Sequence, residues 1–393
     1  MSGQLEHGFL VTGSHDEVNR QDFVTTLRLH ILQSVGGGLR DVYDRRVVPK
    51  FEKVHGRKPE HHREVRDAMA ADPYSAAYSA MNRTCQELMW ASVQDAVEAA
   101  QPTLNQRVAD AKATHGSLAL DPDLSLPAHQ RVADFHSMPG NYHSEWTDGD
   151  VSQGAVFDRG LYLYQAGFGG PLNDGTGRTE AEAIKRRWPN FKPKKILDLG
   201  CTLGNNTLPY ADVFPEAEVH AVDVAAPCLR YGHARAEALG VPVHFHQMNA
   251  EAMAFEDESF DLIVSCILFH ETAPSAVPKI VKECQRLLKP GGLMLHLETP
   301  RSFELEPYEA YCLNWDSYNN DEPFQEAWTA TDMRKVCKDA GFAEDKYEYV
   351  VVPDLVCVSE EDFDAAATGT VNASTGAIHW GETINWHLYG AWK

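Results

Sequence analysis

From Lys195 onward, short apolar runs alternate with helical stretches, and this rhythm constrains the fold more than any other feature of the chain. Residues 195–200, 218–223, 243–246, 260–266 and 293–298 read as strands. Residues 225–239 and 275–288 between them read as helices. Strands separated by helices need crossover connections, which make them parallel and cover both faces of the sheet. The predicted fold class is therefore α/β, a doubly wound sheet. The rhythm changes near the end. Thr329-Ala-Thr331-Asp332 has capping-box spacing, with Asp in place of the usual Glu, and predicts a helix to about Ala340 that Gly341 stops. Two β-rich stretches follow, residues 347–352 and 386–392, and suit an antiparallel pair at one edge.

The first strand breaks into a glycine-containing turn, Ile196-Leu197-Asp198-Leu199-Gly200-Cys201-Thr202-Leu203-Gly204, before a helix. Glycines at 200 and 204 would let backbone approach a ligand, or simply serve a tight turn. Asp223 ends the next strand, 19 positions after Gly204 (223 − 204). An Asp there can accept hydrogen bonds from a ribose diol, or cap the helix that starts near Ala225. The crevice of such a sheet lies above these strand ends.

On these residues, 195–300 resembles the class I S-adenosylmethionine methyltransferases. It is most similar to the branch holding the ubiquinone-biosynthesis C-methyltransferases and many natural-product methyltransferases. The family's first motif, D-x-G-x-G-x-G, is met by Asp198, Gly200, Thr202 and Gly204, with Thr202 in place of the middle glycine. Its second acidic position is met by Asp223. Asn249-Ala250-Glu251 with Met253 and Phe255 meets the adenine-proximal segment, Phe260-Asp261 opens the fourth strand, and Leu287-Leu288-Lys289-Pro290-Gly291-Gly292 precedes the fifth. The resemblance implies a Rossmann-like, seven-stranded methyltransferase sheet with S-adenosyl-L-methionine as cofactor. The cofactor residues it implies are Asp198, Gly200, Cys201, Thr202, Gly204, Asp223, Val224, Asn249, Ala250, Glu251 and Cys266. It covers about a quarter of the chain closely and says little about residues 1–150. A Cβ at Thr202 would shift the cofactor's methionine end or add a hydroxyl contact.

Catalytic candidates are fewer. His270-Glu271 follows the fourth strand, where side chains can reach a transferred group, and His titrates near neutrality. His270 is read as a base or substrate contact, with simple packing as the alternative. Aromatics crowd residues 142–168 (Tyr142, His143, Trp146, Tyr162, Tyr164, Phe168) and 308–328 (Tyr308, Tyr311, Trp315, Tyr318, Phe324, Trp328). In the family, elements at these two places cover the site, so Tyr142 and His143 join the candidates. Aromatic faces there could hold a flat substrate or the sulfonium, or pack the core. His244 and His246 point the same way on a strand, but no further ligands are suitably spaced and no metal is expected.

The half before Lys195 differs in texture. A helix is predicted from about Gln21 to Gln33, ending before Gly36-Gly37-Gly38. Asp72-Pro73 marks the start of another that runs through residues 75–112. Residues 116–180, rich in Gly, Pro, Asp and aromatics, predict irregular structure with short helices. The expected division is a mainly helical extension with lid elements over 1–180 and a catalytic domain over 181–393 with an insertion near 301–328. The extension shapes the substrate pocket, makes a homodimer interface, or does both.

A net charge of −22 disfavours binding to nucleic acid or anionic membranes as a general activity. The basic cluster from Lys185 to Lys195 reads as a solvated helix end. No apolar run reaches 18 residues and no leader pattern opens the chain. The 8 cysteines are scattered singly, without a C-x-x-C pair. A cytoplasmic protein acting on a small-molecule partner is expected. The rival readings are a cofactor-binding protein that catalyses another reaction or acts as a sensor, and a nicotinamide dehydrogenase. The absence of G-x-G-x-x-G argues against the dehydrogenase.

Overall fold

The computed structural model describes residues 3–370 and 384–393. Among these, eight strands form one sheet: β1 (Ser117–Ala119), β2 (Lys195–Leu199), β3 (Glu218–Asp223), β4 (His244–Gln247), β5 (Phe260–Cys266), β6 (Leu288–Glu298), β7 (Tyr347–Pro353) and β8 (Asn385–Trp392). Their order is β1-β4-β3-β2-β5-β6-β8-β7. Neighbours from β1 to β6 pair in parallel, and β8 lies antiparallel between β6 and β7. The strand order reverses between β2 and β5, which places a crevice above the carboxyl ends of these strands.

Seven strands were expected and there are eight. The additional strand is β1, which the extension lays beside β4, pairing Ser117 with His244. Three residues carry no readable periodicity. What holds β1 is tertiary: the Glu237 carboxylate accepts the backbone N–H groups of Thr114, His115 and Gly116 at 2.7–3.0 Å. Gly116 is required there, because a Cβ would lie 2.1 Å from the Val243 carbonyl oxygen.

The apolar strands separate into two cores by the period of two. Ile196, Ala221, Leu262, Val264 and Leu295 pack with Ala181 and Ile184 of the Gly175–Arg187 helix and with Leu229 of the Ala226–Leu239 helix. Leu197, Val222, Ile263 and Met294 face the Val277–Leu287 helix through Ile280, Val281 and Cys284. Each fully buried aliphatic side chain contributes about 1.5–3 kcal/mol. A third core joins the extension to the sheet domain. Met89, Trp90 and Val93 of the Pro73–Ala109 helix and Ala155 of the Ser152–Tyr164 helix meet Cys228 and Tyr231, and also Tyr308, Tyr311 and Trp315.

Two local predictions miss, one through a local cap and one through tertiary packing. The first helix starts at His15, not near Gln21, because Ser14 and Glu17 form a reciprocal capping box. The chain then stays helical through Gly36–Gly38 as far as His55. The glycines do not break it; they admit Tyr74, whose hydroxyl oxygen would lie 2.3 Å from a Cβ at Gly38. Asp72 caps the Pro73–Ala109 helix, accepting from the Tyr74 N–H. The helix before Gly341 spans Met333–Ala340 and is capped by Asp332 itself, which accepts from Lys335 N–H. The Thr329 hydroxyl is occupied elsewhere, on Asn314. Among the described residues, no helix is long and apolar enough to cross a membrane.

Candidate functional site

A cavity of about 210 Å³ lies at the carboxyl ends of β2, β3 and β5. One wall is the turn after β2, contributing Asp198, Gly200, Cys201 and Thr202. The turn alternates through left-handed backbone, with φ of +68° at Gly200, +52° at Thr202 and +79° at Gly204. A β-branched residue in that region costs about 1–2 kcal/mol. Here the Thr202 N–H is fixed by donating to Asp223 Oδ2 at 2.8 Å. Gly204 does not reach the cavity wall. It sits behind the turn, where a Cβ would lie 2.9 Å from the Phe245 ring.

Asp223 and Val224 continue the wall from the end of β3, and Asn249, Ala250, Glu251 and Cys266 complete it. The other Asp223 oxygen accepts the Ala225 N–H at 2.8 Å, so this carboxylate binds one backbone donor on each oxygen. Burial pushes the Asp223 pKa up against the pull of these amides. Burial also lifts Asp198 to about 7, although the Thr207 hydroxyl donates to it. Asn249 accepts the Glu251 N–H through Oδ1, and Glu251 pairs with Lys279 at 2.6 Å.

Facing these groups are Tyr142, His136 and Glu271. Glu271 Oε1 accepts from the Tyr142 hydroxyl at 3.1 Å and lies 2.9 Å from His136 Nε2. On its far side, His136 Nδ1 lies 2.8 Å from Glu322 Oε1. Glu322 Oε2 is 3.9 Å from His270 Nε2, whose Nδ1 is 2.8 Å from Glu298 Oε2. A chain of two histidines and three carboxylates thus runs from the cavity into the core. Burial opposes charge on His136, but Glu322 and Glu271 outweigh it and hold its pKa well above the usual range. His270 rises to about 9, where Glu298 and Glu322 outweigh burial. Burial works against charge on Glu322 too, and the two histidines hold its pKa low. Burial, then Glu271, push the Tyr142 phenol well up.

Of the three candidate catalytic residues, only Tyr142 lines the cavity. His270 is buried and directed at Glu298, and His143 bonds the Gln130 carbonyl at 3.0 Å. Trp146 and Phe168 are exposed, whereas Tyr164 lines the cavity. Phe324 packs on Phe135, and Trp328 lies between Phe269 and Tyr389. His244 and His246 flank His220, with ring centroids 5.1 and 5.2 Å from it.

Sequence reasoning missed Glu271, His136 and Glu322. Glu271 sits in the same dipeptide as His270, and a strand-end carboxylate was the available signal. His136 lies in irregular chain at φ +56°, and only tertiary folding brings it to β5.

The residues around this turn match a known family: residues 196–292 fit the methyltransferase domain. That segment runs from β2 into β6 and carries the whole turn wall. The chain is 37% identical over 108 residues to a demethylmenaquinone methyltransferase of Thermus thermophilus, covering 28% of this chain and 48% of the relative. It is 33% identical over 105 residues to a ubiquinone biosynthesis O-methyltransferase of Roseobacter denitrificans, covering 27% and 41%. Among solved structures, a phosphoethanolamine N-methyltransferase 2 of Haemonchus contortus aligns with a TM-score of 0.39 at 18% identity, over 61% of this chain and 58% of that one. The chain spans about half the length of the curated relatives it matches. The matched segment holds the turn wall, whereas His136 and Tyr142 come from outside it.

Proposed function

We propose that the protein transfers a methyl group from S-adenosyl-L-methionine to a small-molecule acceptor in the cavity above β2, β3 and β5. One observation carries the reading: a turn that matches a methyltransferase domain and a hydrogen-bonded Tyr142–Glu271–His136 group, partly buried, face each other across one cavity. The residues present suit the cofactor. Gly200 brings bare backbone to the wall. Asp223 keeps lone pairs beyond its two amides for a ribose diol, and Asn249 and Glu251 offer an amide and a carboxylate farther along. When bound, the cofactor supplies an activated sulfonium methyl.

The chain's own residues hold the partners and manage one proton. Asp223 and the turn orient the cofactor side, while Tyr142, Tyr164 and Trp90 cover the other side and exclude water. A protic acceptor must lose a proton as its new bond to carbon forms. His136 is held protonated between two carboxylates and cannot take it. Glu271 can, and its hydrogen bond from Tyr142 fixes its position. The extension of residues 1–180 and the insertion of 301–328 supply the acceptor side of the site.

The test is calorimetric titration with S-adenosylhomocysteine. Asp223→Ala removes the ribose acceptor, a charge-assisted contact of about 1.5–3 kcal/mol, so affinity should fall roughly ten- to a hundredfold. Wild-type enzyme with cofactor and a metabolite pool should add one methyl mass to an acceptor. A folded Asp223→Ala protein that binds normally would sink the assignment.

A further inference from the structure

A second cavity, about 530 Å³, adjoins the first, and Tyr164 forms a wall of both. It lies between the extension and the 301–328 insertion. Two of its polar groups are buried with incomplete partners, and a partly exposed carboxylate stands in the same cavity.

Arg28 is 3% exposed. Its guanidinium donates to the Tyr164 carbonyl at 3.3 Å, Asn82 Oδ1 at 3.4 Å and Gln86 Oε1 at 3.1 Å, and stacks 4.1 Å above the Tyr164 ring. Every one of these partners is neutral. Among the described residues no carboxylate lies within ion-pair distance of it. Gln325, 2% exposed, leaves Oε1 without a hydrogen-bond partner, while its Nε2 makes a 3.4 Å contact to the Thr299 hydroxyl. Turning the amide over would leave the nitrogen unpaired instead. Asp316 is the third group. It lines the same cavity, and burial, reinforced by Glu322, lifts its pKa to about 7. Arg28 and Asp316 sense each other's charge without touching.

Leaving a buried cation without an anion and a buried amide oxygen without a donor is costly, because both have given up water. If the two charges served only the fold, pairing them with each other would be cheaper. Instead they stand apart across a space walled by Tyr78 and Trp315, whose rings lie 5.6 Å from each other. A bound group with a negative and a positive end satisfies all three at once. Its anion takes the Nη2 N–H groups of the guanidinium, since Nε and Nη1 already donate to Tyr164, Asn82 and Gln86. Its ammonium donates to Asp316 and Gln325 Oε1, and the tyrosine and tryptophan faces suit a cation.

We propose that the second cavity binds a zwitterionic amino-acid group, with the carboxylate on Arg28 and the ammonium on Asp316 and Gln325. On the methyl-transfer reading above, this group is the anchoring end of the methyl acceptor, and Tyr164 is the partition across which the acceptor meets the cofactor cavity. The acceptor class is then an amino acid or a molecule built on one, rather than a neutral phenol or quinol.

The experiment titrates the standard L-amino acids into the full chain, with and without saturating S-adenosylhomocysteine, by calorimetry and thermal shift. At least one amino acid should bind. The matching amine without its carboxylate, and the matching N-acetyl derivative, should each bind at least about tenfold more weakly, as expected for losing one charged hydrogen-bonded partner. Arg28→Met and Asp316→Asn should each lose at least about tenfold for the same amino acid while S-adenosylhomocysteine affinity stays unchanged. If Arg28→Met fails to fold, Asp316→Asn and Gln325→Leu decide. The proposal is overturned if no amino acid binds, or if the decarboxylated amine or the variants bind as well as the parent pair. Failure of S-adenosylhomocysteine to bind would instead remove the methyl-transfer reading, and the titration without it still judges the cavity.

Discussion

Raising the pH should weaken the fold through His270, by an amount the structure bounds. His270 is buried, with Glu298 at 2.8 Å on one nitrogen and Glu322 at 3.9 Å on the other. Burial resists its charge, but the carboxylates win, and its pKa rises from 6.5 to about 9. The folded state therefore binds this proton more tightly than the unfolded chain does. The stabilisation is fully present below about pH 6.5 and is lost as pH rises through about 9. At about 1.4 kcal/mol per pH unit, the gap is worth at most about 3.5 kcal/mol. Other groups titrate too: Asp198, lifted from 3.8 to about 7, also binds its proton more tightly when folded, so its contribution is lost as pH rises through that lower range. The difference between wild type and His270→Gln isolates the histidine. Urea unfolding at pH 6, 7.5 and 9 should show the variant destabilised most at pH 6, and the two proteins converging toward pH 9. Parallel curves across that range would mean that folding does not shift the His270 pKa, and the charged chain from Glu271 to Glu298 would have to be redrawn.

Three further outcomes are expected. Glu271→Gln should cut turnover by about a hundredfold or more while leaving S-adenosylhomocysteine affinity nearly intact, since general-base removal costs roughly 10²–10⁴ in rate; equal turnover would assign the proton elsewhere. Thr202→Gly relieves a left-handed β-branched residue, so thermal melts should show a gain of up to about 1 kcal/mol, after subtracting the added freedom of glycine in the unfolded chain. A loss would show that the threonine side chain is needed in the turn. Glu237→Ala strips the acceptor from three successive N–H groups and should cost about 1.5–3 kcal/mol, with hydrogen exchange accelerating first at residues 114–119. Unchanged protection there would mean that β1 is held by its pairing to β4 alone.

What could be read from the sequence follows from how far apart the determinants lie. The ends of β5 are legible, because Phe260–Cys266 is apolar apart from Asp261 and Ser265 and both faces of a central parallel strand are buried. The turn wall was equally legible: Asp198, Gly200, Cys201 and Thr202 are consecutive or nearly so, and β2 fixes where they go. Asp223 was placed by the length of one strand–helix–strand step. In each case the signal and the structure it specifies lie within about one such unit.

The opposite wall has no such unit. His136 reaches Glu271 across 135 residues and Glu322 across 186 (322 − 136), and its own segment has neither strand nor helix period. Its position depends on the Pro73–Ala109 helix, where Trp90 Nε1 and Gln86 Nε2 both donate to the His136 carbonyl. That helix was predicted from propensity and from its Asp-Pro start, which say that it forms but not which face it turns to the sheet. Arg28, on a helix whose start was misread, is the same case: its charge is visible in the sequence, and the lack of an anion beside it is not. The turn wall of the crevice is therefore encoded locally, and the opposite wall by contacts among three distant segments. A substitution at residues 28, 86 or 136 can alter what the crevice accepts while leaving the motif-bearing turn, and with it the family match, unchanged.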